Sequence, residues 1–266
     1  MKRPALIRSI LLSVLTIAAG IQVGCGETPT SSVKVTNGTT IGEAEYPSVA
    51  RIYFTVGQGA ATCSGTFISD SLLLTAAHCV SQAEVDDRGL VDMDITLLTQ
   101  DAVGAFESRA ESIAVYRNPE WDTVPGVNKF DLGLIKFPED TALAVSKIAS
   151  SAGKINDNVM VVGYGNNDNV ARTGAGVKRK GANKIHDVRE GFLFLRGSAL
   201  PDDASGTRST SGMGDSGGPL FRDGKLVGVT SGGKVLEDGT SEALYVDLAS
   251  PSSKEFLAPH LAGIQQ

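Results

Sequence analysis

Three side chains in this sequence could together cleave an acyl bond. The segment Gly214-Asp215-Ser216-Gly217-Gly218-Pro219 sets one hydroxyl among glycines. Glycine reaches backbone conformations closed to other residues, so N–H groups there can turn toward a reacting carbonyl and stabilise an oxyanion. A serine hydroxyl is a weak nucleophile at neutral pH and needs a base, for which histidine is the usual choice. Of the three histidines, His186 and His260 read as surface or helix-cap residues, while His78 stands in Thr75-Ala76-Ala77-His78-Cys79, directly after the apolar run Leu72-Leu73-Leu74. A base of this kind is oriented by a buried carboxylate that holds its tautomer. Asp131 suits that role because it leads straight into Leu132-Gly133-Leu134-Ile135, where burial is costly without a partner.

The elements that would position these groups read as short strands between turn signals. The clearest runs are 50–56, 61–68, 72–76, 112–117, 132–137, 158–162, 191–195, 225–230 and 243–246. Thirty-one glycines and ten prolines favour a turn-rich all-β protein, and strands at this spacing suggest barrels or sandwiches. Near the end, Phe256, Leu257 and Leu261 recur at helical intervals after a Ser cap, which predicts a short terminal helix over about 253–263. The basic run Lys178-Arg179-Lys180 reads as an exposed loop.

With its order of His, Asp, Ser, the sequence resembles the chymotrypsin/trypsin family of serine endopeptidases, in its bacterial trypsin-like form. The resemblance runs from about residue 35 to the carboxyl terminus. It rests on the three segments above, on Gly163-Tyr164-Gly165 and on Val229-Thr230-Ser231-Gly232-Gly233. It implies two six-stranded antiparallel β-barrels, about 35–145 and 146–250, with the terminal helix after them. His78, Asp131 and Ser216 would be the catalytic triad, and the amides of Gly214 and Ser216 the oxyanion hole. No metal or cofactor is implied, and the chain would act as a monomer on protein or peptide substrates.

The same resemblance makes Val35-Thr36-Asn37-Gly38 a mature amino terminus. A protease that cuts after Lys34 would free an ammonium at Val35 to pair with Asp215; the alternative is a plain linker and an enzyme active uncut. Thr210 falls at the floor of the primary specificity pocket, with Ser231, Gly233 and Ala243 at its walls. A floor without a carboxylate gives Lys or Arg no charge partner, so uncharged residues are expected before the scissile bond. Gly214 to Gly218 also satisfies the α/β-hydrolase Gly-x-Ser-x-Gly pattern. That fold needs its acid and histidine after the serine, and only His260 follows here. From another class, a catalytically silent protease-like binding protein would keep the barrels without the chemistry.

Residues 1–24 carry Lys2, Arg3 and Arg8 and then an apolar stretch, which reads as a secretory signal too short to span a bilayer. An acidic chain, of net charge −6, without a basic stripe argues against nucleic acid. Export permits a disulfide, and Cys63 and Cys79, the two cysteines of the mature domain, are paired here. Cys25, in Val23-Gly24-Cys25-Gly26, leaves two processing routes open. One is lipidation as in a bacterial lipoprotein, which would make residues 25–34 a membrane tether on the periplasmic or outer surface; the other is ordinary signal cleavage and secretion.

Overall fold

The computed structural model describes residues 35–56, 59–81, 90–91, 93–100, 106–200, 206–262 and 264. The leader, Cys25 and Lys34 lie outside the described residues.

Strands dominate, in two antiparallel sheets. The first comprises β2 (Val49–Val56), β3 (Gly59–Phe67), β4 (Leu72–Thr75), β5 (Leu90–Val91), β6 (Thr96–Gln100), β7 (Phe106–Glu111), β8 (Ala114–Arg117) and β9 (Gly133–Lys136). Its order is β5-β8-β9-β4-β3-β2-β6-β7, and among the described residues no ladder joins its two ends. The second comprises β1 (Thr39–Thr40), β10 (Asn158–Gly163), β11 (Arg179–Arg189), β12 (Phe192–Ser198), β13 (Pro219–Arg222), β14 (Lys225–Val235) and β15 (Thr240–Asp247). Six of these close on themselves, since β11 pairs with both β10 and β12, and β1 is appended to β11. The all-β fold expected from the sequence is present, with one closed six-stranded barrel and an eight-stranded half-barrel in place of its twin.

Burial follows the sequence pattern where apolar residues are dense. Leu72, Leu73 and Leu74 of β4 are all buried between β3 and β9. In β10, Val159 and Val161 alternate with Met160 and face a core of Ile185, Leu193, Leu195, Leu220 and Tyr245. The hairpin β6–β7 has no such signal, because Glu107, Ser108 and Glu111 make β7 read as loop; its register is set by pairing with β6. β11 is hidden by its own Lys178-Arg179-Lys180, which is no exposed loop. Lys178 and Arg179 are buried, and only Lys180 of the three reaches solvent.

The chain ends cross over. Val35 to Thr40, expected at the start of the first barrel, packs on the second: Thr36 bridges Thr210, and Thr39 and Thr40 pair with Lys180 and Arg179. Conversely, the terminal helix α1 (Pro251–Leu261) follows the second sheet but puts Phe256 and Leu257 into the larger core with the first-sheet residues. His260 of α1 packs at a tilt against Tyr116 of β8 with ring centroids 4.8 Å apart. The helix begins two residues before its expected start, because Ser250 accepts from Ser253 N at 3.2 Å and Pro251 occupies the first helical position.

The expected disulfide is formed. Cys63 of β3 bonds Cys79 in the 3₁₀ turn Ala77–Val80, across 16 residues of sequence. Closing a loop of that length restrains the unfolded chain by about 3 kcal/mol. The double variant Cys63→Ala/Cys79→Ala is therefore expected to lose about 2–4 kcal/mol of unfolding free energy, read by urea denaturation monitored by circular dichroism.

Candidate active site

His78 sits in the 3₁₀ turn that directly follows β4, and Asp131 two residues before β9, which pairs with β4. The strand pairing thus brings the two together from 53 residues apart. Asp131 Oδ1 accepts the backbone N–H of His78 at 2.8 Å, and its Oδ2 lies 2.8 Å from His78 Nδ1. The carboxylate is wholly buried, while the imidazole keeps about 30% of its surface exposed. Two bonds from one acid therefore set both the turn and the ring, which leaves Nε2 as the outward-facing nitrogen.

A third donor reaches the same carboxylate. Ser231 Oγ on β14 donates to Asp131 Oδ2 at 2.5 Å. Motif spacing places Ser231 on a pocket wall; its hydroxyl turns to the acid, while its neighbours Thr230 and Gly232 line the cavity. Three hydrogen bonds to one buried carboxylate replace the water it lost.

Ser216 lies in the turn between Asp215 and Gly217, half-buried. Its carbonyl accepts from Ser64 N at 2.8 Å, and Ser64 Oγ donates to Gly214 O at 2.9 Å. Ser64 follows Cys63 on β3, so the half-barrel carrying His78 also grips the loop carrying the serine. Gly217 is required at this contact: its φ is +77°, and a Cβ there would overlap Thr75 Oγ1 and Ser64 O. The amides of Gly214 and Ser216 have no acceptor among the described residues, nor is Ser216 Oγ hydrogen-bonded to His78. Hydrogen bonds of this kind commonly tighten only when substrate binds.

Beside Ser216 opens a cavity of about 340 Å³ lined by Ser211, Gly212, Met213, Thr230 and Gly233 among others. Of the expected pocket residues only Gly233 lines it. Thr210 is wholly buried with its hydroxyl on Ser198 O at 3.1 Å, and Ala243 packs in the core of the closed barrel. Two cations that sequence reasoning missed, Arg172 and Lys234, stand on the lining. Lys234 is 3.8 Å from Glu242 across the β14–β15 ladder.

Asp215 is the second buried acid of the site. Its Oδ1 accepts Gly165 N at 2.7 Å and its Oδ2 accepts Gly212 N at 2.8 Å. Burial outweighs these bonds and raises its pKa from 3.8 to about 6. Val35, also wholly buried, packs in the core of the closed barrel at a φ of +45°, a strained conformation for a β-branched residue.

A family model described as Trypsin matches residues 35–254. The chain belongs to the trypsin family. It is therefore a serine endopeptidase, and trypsin-family proteins act on protein or peptide substrates. Among curated proteins it is similar to Trypsin epsilon of Drosophila erecta, 26% identical over 258 residues that cover 91% of this chain and 93% of the relative. It is also similar to Trypsin 5G1 of Aedes aegypti, 24% identical over 199 residues and 71% of each chain. A solved structure of a Glu endopeptidase in complex with MPD shares the fold, with a TM-score of 0.59 and 17% identity over 85% of this chain and 96% of the other.

The raised pKa of Asp215 has a sign for stability. Folding favours its protonated form, so the stability this group contributes is fully present below pH 3.8 and is lost as pH rises through about 6. The stability of the wild type relative to Asp215→Asn is expected to fall by about 2.5 kcal/mol between pH 4 and pH 7, measured by urea denaturation.

Proposed function

We propose that the chain is an exported endopeptidase that hydrolyses peptide bonds through His78, Asp131 and Ser216. The observation that carries the reading is the bonded series Ser231–Asp131–His78, together with a serine whose loop leaves two amides without acceptors among the described residues. Ser216 Oγ attacks the scissile carbonyl while His78 Nε2 takes its proton and then delivers it to the leaving amine. Asp131 holds the proton on Nδ1 and stabilises the imidazolium. The amides of Gly214 and Ser216 receive the oxyanion, each donor contributing about 10²–10³ in rate. Ser231 strengthens this arrangement by fixing the acid.

Activation enters the same proposal. Cleavage between Lys34 and Val35 by a protease that accepts Lys gives Val35 an ammonium, and the buried Asp215 carboxylate is its acceptor. The complete burial of both residues supports this, because a buried acid held only by neutral donors gains most from a cation. If Cys25 carries a lipid, the cut also releases the domain from its membrane tether. The disulfide fits an oxidising, exported compartment.

Among the described residues the cavity beside Ser216 has no carboxylate on its lining, which supports uncharged residues before the scissile bond. Arg172 and Lys234 favour a second reading, in which an acidic side chain is accepted there, as the name of the structurally similar Glu endopeptidase also suggests. Peptide anilides that differ only in Leu, Glu or Lys at this position decide between the two. Leu ahead of Glu supports the first reading, Glu ahead of Leu the second, and Lys ahead of both overturns each.

For the chemistry, Ser216→Ala and His78→Ala are each expected to lower kcat by about 10⁴–10⁶-fold with the fold retained, measured on a peptide anilide. An active-site phosphonylating reagent should add its mass at Ser216 alone. A protein inert to that reagent after removal of residues up to Lys34 would be a silent binding module instead.

A further inference from the structure

Arg179 is the bulkiest of the fully buried side chains described, and the catalytic scheme does not use it. It opens β11, where backbone pairing to Thr40 and Gly163 leaves it no route to solvent. Its Nη1 donates to Gly165 O at 2.9 Å and to Val177 O at 2.8 Å. Its Nε and Nη2 are buried with no acceptor among the described residues. A guanidinium so placed loses its hydration without full return from hydrogen bonds, and needs a compensating charge.

Asp215 has the complementary deficit. It is wholly buried, and its hydrogen-bond donors are two neutral amides. Between the two charges stands a single residue. Gly165 gives its N–H to Asp215 and takes Arg179 on its carbonyl, and a Cβ at this position would overlap the Asp215 carboxyl group. Each charge holds the other ionised against burial: Asp215 supports the guanidinium, whose pKa burial lowers to about 10, and Arg179 restrains the rise at Asp215. The other titratable group acting with Asp215 is Tyr245 of β15, whose phenol burial keeps neutral. Lys178 turns the other way, to Tyr46 O at 3.0 Å and the Glu43 carboxylate at 3.5 Å.

We infer that Arg179 is a resident counter-charge for Asp215, a positioning residue that holds the Gly212–Ser216 loop in working order before any ammonium at Val35 exists. This rests on the reading of Asp215 as the ammonium's acceptor and changes its consequence. Cleavage after Lys34 adds a second cation to a loop already ordered, so the uncut chain is an active enzyme that the cut improves.

The test compares an uncut form, residues 26–266 with Lys34→Gln, with a cut form beginning at Val35. Each is made as wild type at position 179, as Arg179→Gln and as Arg179→Lys. Rates of phosphonylation at Ser216 and the kcat and KM of a peptide anilide are measured, with thermal melting as a control. Uncut protein with Arg179 is expected to react at no less than about a tenth of the cut rate, and Arg179→Gln to lower kcat about 30-fold in the uncut form against about threefold in the cut form, a normal size for coupling between two sites. Arg179→Lys should restore most of the uncut activity with KM unchanged.

An uncut form with Arg179 that reacts below about a hundredth of the cut rate overturns the inference without any variant at position 179, and leaves the ammonium reading standing. Equal losses from Arg179→Gln in both forms, with the cut form still the faster wild type, reduce Arg179 to a structural residue and also overturn it. Cut and uncut wild types of equal activity, both silenced by Arg179→Gln, uphold the counter-charge and remove the ammonium reading instead.

Discussion

The dipeptide Cys63-Ser64 on β3 is the point on which the site depends. Through its sulfur, Cys63 restrains the turn that carries His78; through its amide and hydroxyl, Ser64 holds the carbonyls of Ser216 and Gly214. The proposed base and nucleophile, His78 and Ser216, lie on the two halves of the fold, and these adjacent residues reach both. The hydroxyl of Ser64 also accepts from Tyr164 N at 3.2 Å, so the Gly163-Tyr164-Gly165 turn is referred to the same anchor. A shift of β3 would therefore be felt at the His78 turn and at the Ser216 loop together.

Around this anchor the protein buries two carboxylates in opposite ways. Asp131 is given three hydrogen bonds, two of them from the residue whose ring it holds. Asp215 is given two, and its raised pKa reports what is missing. The difference is one of purpose. The first acid is satisfied from the start, as the proposed orienting role requires, whereas an incompletely satisfied second acid is sensitive to any cation that approaches it.

What is legible in the sequence is local. His78, Asp131 and Ser216 each sit in a short segment that singles them out as candidates, and β4, β9 and β10 announce themselves by dense apolar residues. What stays hidden depends on partners far along the chain. Ser231 meets Asp131 from 100 residues away, and Lys178 meets Glu43 from 135, so neither role can be read from its neighbours. Three consecutive cations look like a solvated loop until the acids that balance them are brought alongside. Motif spacing puts Thr210 at the pocket floor, but its backbone bridge to Thr36 turns the hydroxyl to Ser198 O. The polar hairpin β6–β7 escapes a sequence reading because its strand character comes from register and not from side-chain pattern.

The exchange of chain ends has a mechanical meaning. The amino-terminal segment belongs to the closed barrel and the carboxyl-terminal helix to the half-barrel, so each half is tied down by a piece of chain that lies beyond the other. The cleft between them behaves like a clasp fastened at both ends: it cannot gape by a simple hinge at the linker without lifting one of the straps. Neither half is a self-sufficient module that could be transplanted or inherited alone, and the machinery divided between them can be passed on only as a whole.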